Sequence, residues 1–339
     1  NNPVQRWTSR ALSGHTGDNS IIHGISWSPD SARLVSCSSS GELIVWDIKT
    51  CTQIWATKAT NGILSVTWDP LNRFIVAQLM NLTLEIFDVQ GKSLRTVEDC
   101  FEGQDYGLHL RIGFSPDGSF VGTSSGFRDS HFVAPFFQRG SFNFAFALEG
   151  HVSPISCVSC PPFLLKTQEQ NYASVFACGD NSGVLSVWLI GADTKPLFII
   201  DQLSNSACND MAWSKDGDWL LIALDRNPIT QIGSIICIHF VDGFGLPKAD
   251  INEMDDIKAR LLGETSFRLK SKHTQQVANI LQSLEGKEKE VDMEVPQLTT
   301  EEVLKQQVET IENGIRTIQP VLLTAVEKQL IAFQSNVQC

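Results

Sequence analysis

Two dipeptides, Gly14-His15 and Gly150-His151, set the commonest acid–base side chain of enzymes at two distant points of the chain. Cys157-x-x-Cys160 has the spacing of half a zinc site, yet four ligands are needed and no second pair follows at a suitable distance. Cys157 lies in a strand-like run and Pro161-Pro162 follows at once, so both thiols are expected to pack. Asp255-Asp256 falls near the start of a helical pattern, where carboxylates answer the helix dipole without any metal. The sequence contains no P-loop, no G-x-S-x-G, no H-E-x-x-H, and no G-x-G-x-x-G behind a strand. No catalytic residue, cofactor or metal is therefore expected, and the histidines need another explanation from the elements around them.

Those elements repeat. Trp27-Ser28-Pro29-Asp30 is echoed by Trp68-Asp69-Pro70, Phe114-Ser115-Pro116-Asp117-Gly118 and Trp213-Ser214-Lys215-Asp216-Gly217. Each echo leads into an apolar run, a polar turn and a second alternating run, such as Leu43-Ile44-Val45-Trp46-Asp47, Leu84-Glu85-Ile86-Phe87-Asp88 or Leu185-Ser186-Val187-Trp188. Trp27 precedes Trp46 by 19 residues, and Trp68 precedes Phe87 by the same 19. A unit of about 40–45 residues with Gly-His near its start and Trp-Asp near its end is the signature of a WD-repeat β-propeller blade. One small twisted sheet cannot bury both faces, so blades must stack. The expected fold class is all-β, with five blades over about 20–55, 60–98, 107–147, 150–200 and 206–242. Residues 3–14 read as a last strand leading into the first blade. Because the chain opens Asn1-Asn2-Pro3 and not with Met, an upstream part and a trimmed seven-blade ring are expected.

In that frame His15 and His151 turn inward to brace their blades, and Trp46, Asp47 and Trp188 belong to the same structural set. The usual partner of such a histidine is an Asp in the turn before the Trp-bearing strand. Those turns carry Ser40 and Ser182, so a weakened brace is expected. Residues 161–172 read as an insertion forming a surface loop on the fourth blade. The run Phe132, Phe136, Phe137, Phe142, Phe144 and Phe146 is denser than one blade needs. It supplies alternating core positions, with a partner-binding patch as the minority reading.

Of 339 residues, 26 are Lys or Arg and 38 are Asp or Glu, a net charge of −12 that leaves no basic stripe for direct, sequence-specific nucleic-acid binding. Hydrophobic residues make up 42%, enough for a real core. No 18-residue apolar run and no signal peptide are visible, so no membrane contact is expected and the compartment reads as intracellular. The propeller is assigned to 1–242, a short helical tail to 243–284, a Glu/Lys-rich linker to 285–302 and a partner-binding helix/hairpin segment to 303–339. Within the tail, Ile251–Leu262 suits a helix ended by Gly263, and 277–284 suits another. Near the end, Asn313-Gly314 separates Val308-Glu309-Thr310-Ile311 from Ile315-Arg316-Thr317-Ile318, the pattern of a small hairpin or an extended peptide.

Residues 179–217 hold Leu185-Ser186-Val187-Trp188, Lys195-Pro196-Leu197-Phe198 and Asn209-Asp210-Met211-Ala212-Trp213 in order. This string resembles the last blades of the HIRA/Hir histone regulators, and the likeness extends over about 1–242. The less basic form of Asn313-Gly314-Ile315-Arg316-Thr317-Ile318-Gln319-Pro320, with Arg316 alone in place of a basic run, is most similar to the second Hir subunit of fungi. The resemblance implies a non-catalytic scaffold in the nucleus, within a HIR complex that deposits histones three and four independently of replication and represses histone genes. It implies a second WD-repeat subunit, histones three and four and the anti-silencing-function histone chaperone as partners, with Ile315, Arg316 and Ile318 as a strand along a partner's sheet edge. The family's C-terminal half has no counterpart, so truncation at both ends is expected. Two alternatives stay open: a generic WD-repeat adaptor in ubiquitin ligation or vesicle traffic, and a 310–325 segment that packs back on its own propeller.

Overall fold

The computed structural model describes residues 9–16, 20–98, 110–167, 171–191, 195–201, 203, 206–226, 233–240 and 244–262, together with the backbone of 308–312 and 315–319. The chain divides into two compact units, Asn1–Phe101 and Glu102–Cys339. Both are built from the small antiparallel sheets of a WD-repeat β-propeller, five blades among the described residues.

The first unit holds two four-stranded blades in simple sequence order. Blade 1 is β1 (Ile22–Trp27), β2 (Arg33–Ser38), β3 (Glu42–Asp47) and β4 (Thr52–Lys58). Blade 2 is β5 (Ile63–Trp68), β6 (Phe74–Leu79), β7 (Leu84–Asp88) and β8 (Ser93–Val97). The middle strands read as near-continuous apolar runs because they are covered on both faces. Val35, Cys37, Leu43 and Val45 of blade 1 pack against Ile63, Val66, Trp68, Ile75 and Ala77 of blade 2. Each such side chain contributes about 1.5–3 kcal/mol when taken fully out of water.

The echoed Trp-Ser-Pro-Asp motif is a turn clamp between the first two strands of a blade. In blade 1 the Ser28 hydroxyl accepts the Arg33 amide and the Asp30 carboxylate accepts the Ala32 amide. In blade 2 Asp69 holds the Leu71 and Arg73 amides by itself. Ser115 with Asp117 and Ser214 with Asp216 repeat the clamp further on. The sequence period thus marks the points where short side chains hold amides that no strand partner reaches.

The second unit carries three blades. Blade 3 comprises β9 (Gly113–Phe114), β10 (Phe120–Gly122), β11 (Gly126–Arg128), β12 (His131–Gln138) and β13 (Phe144–His151), with β10 and β11 both pairing along β12. Phe136 and Phe137 are fully buried, and Phe136 stacks on Phe146 at 4.9 Å and meets Phe176 edge-on at 4.7 Å. Much of the phenylalanine run is therefore core. Blade 4 comprises β14 (Ile155–Ser159), β15 (Leu164–Lys166), β16 (Tyr172–Asp180), β17 (Leu185–Ile190) and β18 (Lys195–Ile200). Blade 5 shows three strands among the described residues: β19 (Cys208–Trp213), β20 (Trp219–Leu224) and β21 (Ser234–His239).

The segment 161–172 departs from the surface loop expected of it. Its β15 pairs with β16, and Phe163 and Leu165 enter the core shared with Leu220, Ile222 and Ile236. The apolar triplet Phe163-Leu164-Leu165 is the reason, since leaving it in water would forfeit several kcal/mol. Helix α1 (Ile251–Leu262) forms as expected. Its start is capped by Asp250, whose carboxylate accepts the Asn252 and Glu253 amides while Glu253 accepts the Asp250 amide. Asp255 and Asp256 sit in the second turn, so the dipole argument belongs to Asp250 and Glu253 instead. Strands β22 (Val308–Glu312) and β23 (Ile315–Gln319) form the hairpin read from the Asn-Gly signal. The second helix expected at 277–284 and the linker at 285–302 lie outside the described residues.

Candidate functional site

The two Gly-His dipeptides end in relays of the same chemistry. In blade 4, Trp188 Nε1 donates to Ser186 Oγ at 2.7 Å, and Ser186 pairs with His151 Nε2 at 2.7 Å. His151 Nδ1 faces Asp180 Oδ2 at 2.7 Å. The carboxylate assigns the imidazole proton to Nδ1, so Nε2 accepts the serine hydroxyl. In blade 1, Trp46 Nε1 donates to Ser36 Oγ at 2.8 Å, Ser36 pairs with His15 Nε2 at 2.7 Å, and His15 Nδ1 faces Glu42 Oε2 at 3.4 Å.

The Ser40 and Ser182 turns therefore do not weaken the brace as expected. An acid is present in both blades, displaced from the position where one was sought. Asp180 ends β16 and Glu42 begins β3, on opposite sides of the equivalent turn in each blade. Ser40 and Ser182 become donors to those acids: Ser40 and Ser20 each reach Glu42 Oε2 at 3.1 Å, and Ser182 reaches Asp180 Oδ1 at 2.7 Å. Burial would raise the carboxyl pKa of Asp180, but hydrogen bonds from His151, the Val184 amide and Ser182 outweigh it and hold the value below the ordinary one. Glu42 is lowered in the same way, with Ser20, Ser40 and His15 outweighing its burial.

The relay serine has moved as well. Ser36 lies on β2 opposite Ile44, whereas in blade 4 the hydroxyl is on β17, with Ser186 opposite Cys178. Directly opposed residues of an antiparallel pair share one face, so a hydroxyl from either strand reaches the same histidine. This cross-strand exchange escaped the linear reading. The polar Ser186 inside the otherwise apolar Leu185–Ile190 run was its visible sign.

A Ser–His–Asp line resembles the acyl-transfer triad in composition, but its surroundings close it. Ser186 is 2% exposed, Asp180 0% and His151 7%, and the serine oxygen already accepts the indole N–H. A nucleophile needs an open face toward a reacting carbon, so the relay is a brace that ties His151, at the end of β13, to β16 and β17. The glycines of the two dipeptides are required for different reasons. A Cβ on Gly14 would come within 2.7 Å of the Trp46 ring, while Gly150 adopts φ +122°, which side chains rarely tolerate. Asp47 stays outside the relay and caps its own turn, accepting from the Thr50 amide at 2.8 Å. Phe87 replaces the tryptophan in blade 2 and brings no ring N–H.

The remaining candidates separate. The Cys157 thiol points at the Cys208 carbonyl at 3.3 Å and Cys160 at the Pro161 carbonyl at 3.5 Å. Burial pushes both thiols well up, away from the thiolate that a metal would need. Among the described residues, no group of three or more His, Cys, Asp or Glu is placed to hold a metal ion. Ile315, Arg316 and Ile318 lie together on β23, which pairs antiparallel with β22 and parallel with β18, Phe198 opposite Arg316.

The repeat geometry agrees with comparisons to known proteins. Residues 6–47 match the WD domain, G-beta repeat family. The chain is similar to the hir1 protein of Aspergillus fumigatus, 26% identical over 278 residues that cover 73% of this chain and 26% of the relative. It is similar to HIR1 of Coccidioides immitis, 28% identical over 279 residues covering 72% and 25%. The hir1 protein of Schizosaccharomyces pombe is 25% identical over 247 residues, covering 71% and 25%. The chain is a WD-repeat protein similar to the Hir1 proteins of fungi. It spans about a quarter of the length of those relatives. All three carry the name Hir1, so the likeness to a second Hir subunit has no counterpart among them.

Proposed function

We propose that this chain is a non-catalytic scaffold subunit of a nuclear histone chaperone complex, which deposits histones three and four independently of replication and represses histone genes. The observation that carries the reading is the likeness to Hir1 proteins over 73% of the chain, in blades whose polar relays are buried braces. A stack of braced sheets offers rigid loops and edges for partners without chemistry of its own. The net charge of −12 favours basic partners such as histones over nucleic acid. The partners in this reading are a second WD-repeat subunit, histones three and four, and the anti-silencing-function chaperone, the last engaged by Ile315, Arg316 and Ile318 through strand addition. Arg316→Glu with Ile318→Asp in the full chain tests that contact in a pull-down with the purified chaperone. Loss of capture is expected; capture equal to the natural chain would overturn it.

A further inference from the structure

The hairpin's backbone pairing limits how residues 315–318 can be used. A strand has two edges, and both edges of β23 are filled: β22 takes one from Val308↔Gln319 to Glu312↔Ile315, and β18 takes the other at Phe198↔Arg316. Among the described strands, β22 ends that sheet on the side beyond β23. A sheet added at β22 would therefore not pair with Ile315, Arg316 or Ile318.

The acceptor edge has its own reason to be covered. Pro196 offers no N–H and blunts the first part of β18, but Leu197-Phe198-Ile199-Ile200 carries neither charge nor proline. The last strand of blade 2 is protected differently, with Arg95 at its middle and Ser93 to Thr96 all exposed. Uncovered, the run 197–200 is an apolar sheet edge of the kind that recruits foreign strands. Its cover is a strand of the same chain.

We propose that the 308–319 hairpin is stored on blade 4, and that a partner's sheet reaches residues 315–318 by exchanging with β18. This rests on the reading of that segment as a partner-binding strand. The hairpin belongs to the same chain as its acceptor strand, so a partner competes with an intramolecular pairing. A partner then sees only the released fraction. If about a tenth of the molecules are open, its apparent affinity falls about tenfold.

Hydrogen exchange on the full chain tests the storage, with two variants. Arg316→Pro with Ile318→Pro removes β23 as a pairing strand, while Ile199→Lys charges the acceptor and leaves β23 intact. Exchange at Leu197–Ile200 should rise about tenfold or more in the proline variant, with residues 174–179 of β16 unchanged. A synthetic peptide of residues 308–320 should restore slow exchange there. Unchanged exchange at 197–200 in the proline variant would overturn the proposal, as would a peptide without effect. Ile199→Lys should strengthen capture of the proposed chaperone partner about tenfold. If β18 responds as expected but neither the natural chain nor Ile199→Lys captures that partner, storage stands and the proposed function fails. If both capture it equally and β18 is unmoved by the prolines, storage fails and the proposed function stands.

Discussion

Moving the relay hydroxyl back across its strand pair tests the reading of Ser186 most sharply. Ser186→Ala leaves two groups without partners: His151 Nε2, in a ring 7% exposed, and Trp188 Nε1 on a half-buried indole. An orphaned buried polar group costs about 1–3 kcal/mol. Water reaches part of the indole, so a loss of about 3 kcal/mol is expected for the pair. Cys178→Ser alone places a second hydroxyl in the fully buried site of Cys178, beside Phe136 and Phe176, and should cost about 1–2 kcal/mol. Combined, the two changes recreate the blade 1 arrangement, in which Ser36 on the second strand serves both His15 and Trp46. The double variant should come within about 1 kcal/mol of the natural chain, a coupling of at least about 3 kcal/mol in a double-mutant cycle. Urea unfolding of the full chain, followed by tryptophan fluorescence, supplies the four values. If the double variant loses the sum of the single losses, the strands are not interchangeable as hydroxyl donors and the reasoning fails.

Two further outcomes follow from the same relays. The Asp180 carboxyl lies below the ordinary value of 3.8 in the folded chain, so its stabilisation is complete above about pH 4 and drains away as pH falls further. Asp180→Asn should cost about 1.5–3 kcal/mol at pH 7 and show a smaller fall in stability between pH 5 and pH 3 than the natural chain, measured by urea unfolding at both values. Gly14→Ala should cost about 1–3 kcal/mol by forcing its Cβ against the Trp46 ring, with a shift in tryptophan emission. An unchanged spectrum and midpoint would show that the ring yields without strain.

The blades were legible because each repeat carries its turn clamp and its apolar runs in fixed order; Ser28 with Asp30 and Ser214 with Asp216 show the signal most plainly. Helix α1 and the hairpin were legible from periodicity and from Asn313-Gly314. The relay partners were not, because a linear reading looks for an acid at one fixed offset from the tryptophan. Glu42 and Asp180 fill equivalent places in their own blades from opposite ends of the turn, and Ser36 and Ser186 do so from opposite strands. Spatial equivalence across an antiparallel pair has no counterpart in sequence offset. Burial of Phe163 and Leu165 was missed for a different reason: Pro161-Pro162 and the polar 167–171 run outweigh a three-residue apolar stretch in any window. The pairing of β23 with β18 is parallel and spans more than a hundred residues of sequence, beyond the reach of local pattern.

Affinity purification of the full chain from nuclear extract, quantified by mass spectrometry, bears most directly on the proposed scaffold role. The account predicts a second WD-repeat subunit together with histones three and four. Recovery of ligase or coat subunits without histones would contradict it and leave the blades as shared architecture in the service of another assembly.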